Sequence, residues 1–150
     1  VIKTIRDARE GSRLASEGQA VVEKLENLPF PVVAAINGAA MGGGTELALC
    51  CKYIVASDSP STRVALPEVN LGVLPGFGGT VRMPARIGLQ TSMDFILTGK
   101  TMNGEKAAKI GFAASPAARS SRASGRRISW RRRSKATPSA AWCCSRRRAR

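Results

Sequence analysis

The chain has 150 residues with 43% hydrophobic and 23% charged positions, which suits one soluble domain and leaves no room for a second large one. Its formal charge of +14 points at first to nucleic acid or an anionic surface, yet residues 1–112 hold 12 Lys+Arg against all 10 acids, while residues 113–150 hold 12 Lys+Arg and no acid. There is no histidine, so Ser-His, Cys-His and His-metal chemistries have no member to start from.

Ile5, Ala8, Leu14, Ala15, Ala20, Val21 and Leu25 recur at helical intervals, so residues 3–27 read as one or two amphipathic helices, stopped by Pro29 and Pro31. Val32-Val33-Ala34-Ala35-Ile36 is unbroken by polar residues, the pattern of a parallel-type strand covered on both faces. Asn37-Gly38 turns the chain, and Met41-Gly42-Gly43-Gly44 opens a mostly apolar, hence buried, helix over Thr45–Cys51. Tyr53–Ala56 is a second strand. A polar turn, Ser57–Arg63, leads through Val64–Val69 to a second glycine-rich loop, Leu71–Thr80. Helices follow at about 80–87 and 90–98, and Asn103 caps a last one over Glu105–Ile110, ended by Gly111. This alternation of strand, loop and helix argues for an α/β layered domain.

After Phe112 the composition changes abruptly. Ala, Arg and Ser supply 28 of the 38 residues from 113 to 150, and neither helical nor strand period is sustained. The organisation expected is a folded part over 1–112 and a low-complexity basic tail over 113–150. The tail reads either as a disordered segment or, the hypothesis we favour, as a shifted reading frame through GC-rich coding DNA; resequencing that finds one intact frame across residue 112 removes it. Cys50–Cys51 and Cys143–Cys144 are vicinal pairs, unlike metal, redox or disulfide-framework spacing, so a reducing compartment is expected and Cys50 and Cys51 read as core packing. No apolar run approaches the ~20 residues of a bilayer-spanning helix, and the N-terminus is amphipathic rather than a signal peptide.

Carboxylates, backbone amides and helix termini remain as the available catalytic groups. Glycines at 42–44 let the backbone approach a ligand at the start of a helix, where unpaired donors and the positive end of the dipole favour an anion. An oxyanion hole is built that way. Glu46 lies one turn into an apolar helix, and Glu68 follows Pro67 between Leu66 and Val69, just before the second glycine-rich loop; a carboxylate in such surroundings is costly unless it has a partner or a task. Together they fit paired general acid and base work, such as water addition across a polarised double bond. Against this, glycine triplets are commonly just turns, and a lone Glu in an apolar helix more often sits at its exposed edge. Thr98-Gly99-Lys100-Thr101 resembles the end of a phosphate-binding loop, but Asp94 stands where its partner glycine belongs. Trp130 and Trp142 among arginines could stack on bases, which makes nucleic-acid binding through the tail the reading from another class.

Pro31–Gly38, then Gly42-Gly43-Gly44-Thr45-Glu46-Leu47-Ala48, Leu66-Pro67-Glu68-Val69, Leu71-Gly72 and Pro75-Gly76-Phe77-Gly78-Gly79-Thr80 closely resemble the crotonase (enoyl-CoA hydratase/isomerase) superfamily. The similarity continues through Arg82, Pro84, Arg86-Ile87-Gly88, Leu97-Thr98-Gly99 and Ala107-Ala108, and covers roughly residues 20–112. The interval between the glutamates is most like the hydratase domain in the α-subunit of bacterial multifunctional fatty-acid oxidation complexes. The resemblance implies an incomplete crotonase-like fold of ββα repeats forming a spiral, and hydration of 2-enoyl-CoA to 3-hydroxyacyl-CoA in fatty-acid β-oxidation. It assigns Gly43 as one of two oxyanion donors, Glu46 to the water, Glu68 to the proton for the α-carbon, and Gly76 to an amide that helps hold the water. It implies no metal or redox cofactor, with coenzyme A arriving as the substrate's carrier, in a cytoplasmic homo-oligomer or multienzyme complex with no membrane or nucleic-acid partner. The alternatives are an isomerase or a non-catalytic relative. The family's other oxyanion donor precedes the first helix of this chain and its C-terminal helices follow Phe112, so the isolated chain is expected to be weak or inactive.

Overall fold

Helix α1 (Ala8–Glu26) begins where the Asp7 carboxylate accepts the Glu10 amide at 2.8 Å, and it ends at Asn27, whose side-chain amide donates back to the Glu23 carbonyl. Val22 is its buried residue, so α1 lies along the surface. The computed structural model describes residues 7–114, and beyond them the strand backbones Pro116–Ala117, Trp130–Arg131 and Cys143–Cys144.

From α1 the chain winds through two successive turns. The first contains β1 (Val33–Ile36), β2 (Ala39–Met41) and α2 (Gly43–Leu49); the second contains β3 (Tyr53–Ser57), β4 (Arg63–Ala65), a 3-10 turn (Pro67–Leu71) and α3 (Gly79–Ile87). Like stacks on like: β1 pairs in parallel with β3, Val33 opposite Tyr53, and β2 pairs in parallel with β4, Ala39 opposite Arg63. This is the ββα spiral that the motifs imply. Helices α4 (Leu89–Thr98) and α5 (Gly104–Lys109) close one side, and β5 (Pro116–Ala117) adds to the other edge of β3. In a separate unit, Ser120–Arg150, β6 (Trp130–Arg131) pairs antiparallel with β7 (Cys143–Cys144).

Ile54 and Ala56 from β3, Val64 and Leu66 around β4, Met83 from α3, Phe95 from α4 and Phe112 after α5 form the core. Asn103 caps α5 as expected, its side-chain oxygen taking the Lys106 amide at 2.8 Å, and Gly111 follows at φ +81°. Two expectations are corrected. Strand β1 is not covered on both faces: strand alternation turns only Ala34 and Ile36 to the packed side, and Val33 stays 45% exposed. Helix α2 is not wholly buried, because Leu47 points outward. Strand β2 had no expectation, since three residues acquire strand character only by pairing with β4. The expectations for the 113–150 tail, including disorder, the frameshift and stacking by Trp130 and Trp142, fall outside the described residues apart from Ala113, Ala114 and the strand backbones named.

Candidate active site

The turn from β2 into α2 is tied to β4. The Gly42 amide donates to the Ala65 carbonyl at 2.9 Å, and the buried Thr45 hydroxyl lies 2.7 Å from the Ala40 carbonyl and 2.8 Å from that of Ala65. Gly42 adopts φ +55° and ψ −123°, a region that L side chains avoid. A Cβ on it would also stand 2.8 Å from Glu68 Oε1, so glycine is demanded twice over. The Glu46 amide, in turn, donates to the Gly42 carbonyl at 3.0 Å. Gly42 thus lies against the Glu68 carboxylate and heads the helix that carries Glu46.

Glu46 is 2% exposed, not at the edge of its helix. Its Oε1 accepts the backbone amides of Phe77 and Gly79, each at 2.8 Å, and such charge-assisted bonds are the strong kind. A Cβ on Gly79 would come within 3.0 Å of Glu46 Cγ and Oε1, so the loop lies as close to the carboxylate as a bare backbone allows. Glu68, on the 3-10 turn, is half-buried, and its Oε2 is buried with no hydrogen-bond partner. Burial pushes the Glu68 carboxyl above its ordinary 4.5, a bond from its own backbone opposes this, and the nearby charge of Glu46 adds to the rise.

Gly43 is the first residue of α2, where an α-helix has no intrahelical acceptor for its amides, and its position faces the Phe77 ring, with a Cβ there 3.4 Å from Cε2. Gly76 stands in the loop immediately before Phe77, its carbonyl accepting the Gln19 side-chain amide at 2.8 Å. The structure thus brings the Glu68 carboxylate against Gly42, next to Gly43, and sets Glu46 one turn further along the same helix, with Gly76 beginning the loop that grips Glu46. Sequence reasoning missed the amides of Phe77 and Gly79 and the side chain of Gln19. The glycine-rich run at 76–79 marks the loop but cannot say which N–H is used, and a Gln on an outer helix face carries no signal.

Cys50 and Cys51 are buried as expected, and burial pushes both thiols up, away from reactivity. Gly99 ends α4 in the left-handed region and Lys100 pairs with Asp94 at 2.8 Å, so residues 98–101 form a helix stop rather than a phosphate cradle. A surface cavity of about 650 Å³ opens beside α5, lined among others by Arg63, Asn103, Glu105, Lys106 and Lys109; neither Glu46 nor Glu68 lines it. The buried polar groups gather instead around Glu46 and Glu68. Among the described residues no three side chains are grouped to hold a metal ion, and no helix is long and apolar enough to cross a membrane.

The family model described as enoyl-CoA hydratase/isomerase matches residues 3–135. The fatty acid oxidation complex subunit alpha of Vibrio campbellii is 52% identical over 111 residues, 74% of this chain and 16% of that protein. That of Vibrio vulnificus is 51% identical over the same shares. The chain thus spans 16% of the length of these relatives. An enoyl-CoA hydratase from Bacillus anthracis superposes with a TM-score of 0.70 at 35% identity, covering 75% of this chain and 43% of that one. Pseudomonas aeruginosa DspI superposes with a TM-score of 0.73 at 32% identity, covering 78% of this chain and 47% of that one.

Proposed function

Because this chain belongs to the enoyl-CoA hydratase/isomerase family and has its crotonase-like fold, we propose that its glutamate pair serves the hydration of a 2-enoyl-CoA thioester to the 3-hydroxyacyl-CoA. The observation that carries this reading is a pair of inward-lying carboxylates, Glu46 and Glu68, near enough for the charge of one to act on the other. One carboxylate is held by two loop amides, and the other is half-buried with an oxygen left unpartnered.

In this reading Glu46 holds and activates the water as its oxygen bonds to C3, and Glu68 delivers a proton to C2. A carboxyl raised by burial fits that second task, since a proton donor works best when its pKa approaches the working pH. The Gly43 amide stabilises the thioester oxyanion as charge builds on it, a contribution of ~3–4 kcal/mol for one such donor, and the Gly76 amide helps hold the water. Adding water leaves the overall oxidation state unchanged, so the proposal calls for no redox cofactor, and it assigns the acid, base and charge-stabilising work to two carboxylates and backbone amides rather than to a metal. Two acids favour hydration over simple double-bond isomerisation, for which one suffices. The relatives' name supports a multienzyme complex for the intact protein, and we further propose a cytoplasmic location; sedimentation of the native protein and cell fractionation would check the two.

The test is hydration of crotonyl-CoA, followed by loss of the enoyl-thioester absorbance, with the chain alone and with flanking family segments restored. Glu46→Gln and Glu68→Gln should each remove most of the rate. Unchanged rates in both would overturn the roles of the two glutamates. Deleting residues 113–150 should leave thioester binding intact, whereas loss of salt-sensitive nucleic-acid binding on deletion would favour the other class of function.

A further inference from the structure

Helix α1 is joined to the loop that grips Glu46 at Gly76 and Phe77, and to the following helix through Arg82. The Gln19 Nε2 donates to the Gly76 carbonyl at 2.8 Å. Gly18 faces the Phe77 ring so closely that a Cβ would fall 2.2 Å from Cε1, so the ring lies in a notch that only glycine leaves open. Arg82 completes the join: its Nε and Nη2 reach Glu26 Oε2 at 3.0 and 2.7 Å, and its Nη1 donates to the Phe77 carbonyl at 3.0 Å. Gly78, at φ +95°, lies under the same guanidinium, and a Cβ there would meet Nη1 at 2.0 Å.

On its other side this loop presents the Phe77 and Gly79 amides to Glu46. With glycine at 76, 78 and 79, the loop has little stiffness of its own, and two amides must point at one oxygen together. We propose that α1 is a positioning clamp for Glu46, acting through residues 76–79, with Gln19 as the positioning residue and Gly18 as the seat for Phe77. Gln19 is exposed and α1 buries only Val22, so the contacts at Gln19 and Gly18 do more to align the loop than to hold the helix. Displacements of about 1 Å at a reacting group can cost about a hundredfold in rate, which gives an exposed side chain leverage over the site. The clamp itself stands on geometry; only its effect on turnover rests on the hydratase reading.

The experiment is amide hydrogen exchange by NMR on the full chain, with Gln19→Glu, which replaces the donor by an acceptor of equal size, and Gly18→Ala, which fills the notch. Both should speed exchange at Phe77 and Gly79 by about tenfold or more, while Ile54 and Val64 in the core exchange as before. A purely structural role predicts otherwise for Gly18→Ala, because alanine favours the helix and would slow exchange, not loosen the site. In the hydration assay kcat should fall about tenfold or more with KM unchanged. Unaltered exchange at Phe77 and Gly79 in both variants overturns the clamp, and so does loosened exchange with undiminished kcat. If exchange responds while neither this chain nor the chain with flanking segments restored hydrates crotonyl-CoA, the clamp stands and the hydratase reading falls.

Discussion

Replacing Glu46 separates its hold on the loop from its proposed service to the water, if Gln and Ala are compared. The side chain is 2% exposed, and its Oε1 takes two amides at 2.8 Å. Ala removes the acceptor and leaves the buried Gly79 N–H and the part-buried Phe77 N–H unpaired, at up to about 1–3 kcal/mol each, or roughly 2–6 kcal/mol in all before any cavity is counted. Gln keeps an oxygen of the same shape. Each bond then drops from charge-assisted strength, about 1.5–3 kcal/mol, to neutral strength, about 0.5–1.5 kcal/mol, and relief from carrying a buried charge offsets part of that loss. Glu46→Gln should therefore fall within about 2 kcal/mol of the parent, and Glu46→Ala should be the less stable of the two. Urea unfolding gives both differences, provided the m-values agree. Crotonyl-CoA hydration should drop by roughly 10²–10⁴ in each, since both lose the carboxylate. Equal stability of the two variants would show that the loop amides do not rest on Glu46, and a fully active Gln variant would refute its role toward water.

Three further perturbations probe the same geometry. Gly42→Ala puts a side chain at φ +55° and a Cβ 2.8 Å from Glu68 Oε1, so it should cost about 1–3 kcal/mol and depress hydration; a variant with parental melting temperature and rate would contradict the close approach. Because burial raises the Glu68 carboxyl in the folded state above its ordinary 4.5, its contribution to stability is complete below that value and is lost as pH rises through the folded one. Glu68→Gln does not titrate, so its urea midpoint should gain on the parent across that window and keep the gain above it; a gap constant with pH would rule out the shift. Asn103→Ala removes the cap of α5, whose oxygen accepts the Lys106 amide at 2.8 Å, and should cost about 1 kcal/mol while hydration at low temperature stays at the parental rate.

What was legible in the sequence is what announces itself locally. A carboxylate among Leu, Ala and Cys, or between Leu66 and Val69, is an anomaly wherever the chain goes, which is why Glu46 and Glu68 stood out without coordinates. The helices read well for the same reason: α3, α4 and α5 carry their periodicity and stops within ten residues each. The illegible parts depend on residues distant in the chain. Strand β2 exists because β4 lies beside it, 24 residues on from Ala39 to Arg63, and Val33 looked like core because composition does not say which face of β1 is covered. The partners of Glu46 are backbone amides 31 and 33 residues away, and a backbone N–H has no letter in the sequence. Gly42 shows the limit most clearly. The sequence assigned a role to Gly43 and none to Gly42 or Gly44, yet a Cβ on Gly42 would meet the carboxylate of Glu68, whereas nothing stands within 4 Å of one on Gly44. The requirement for glycine at 42 is set by the glutamate 26 positions later, so the two residues specify each other, and a change at either should be read as a change to the pair.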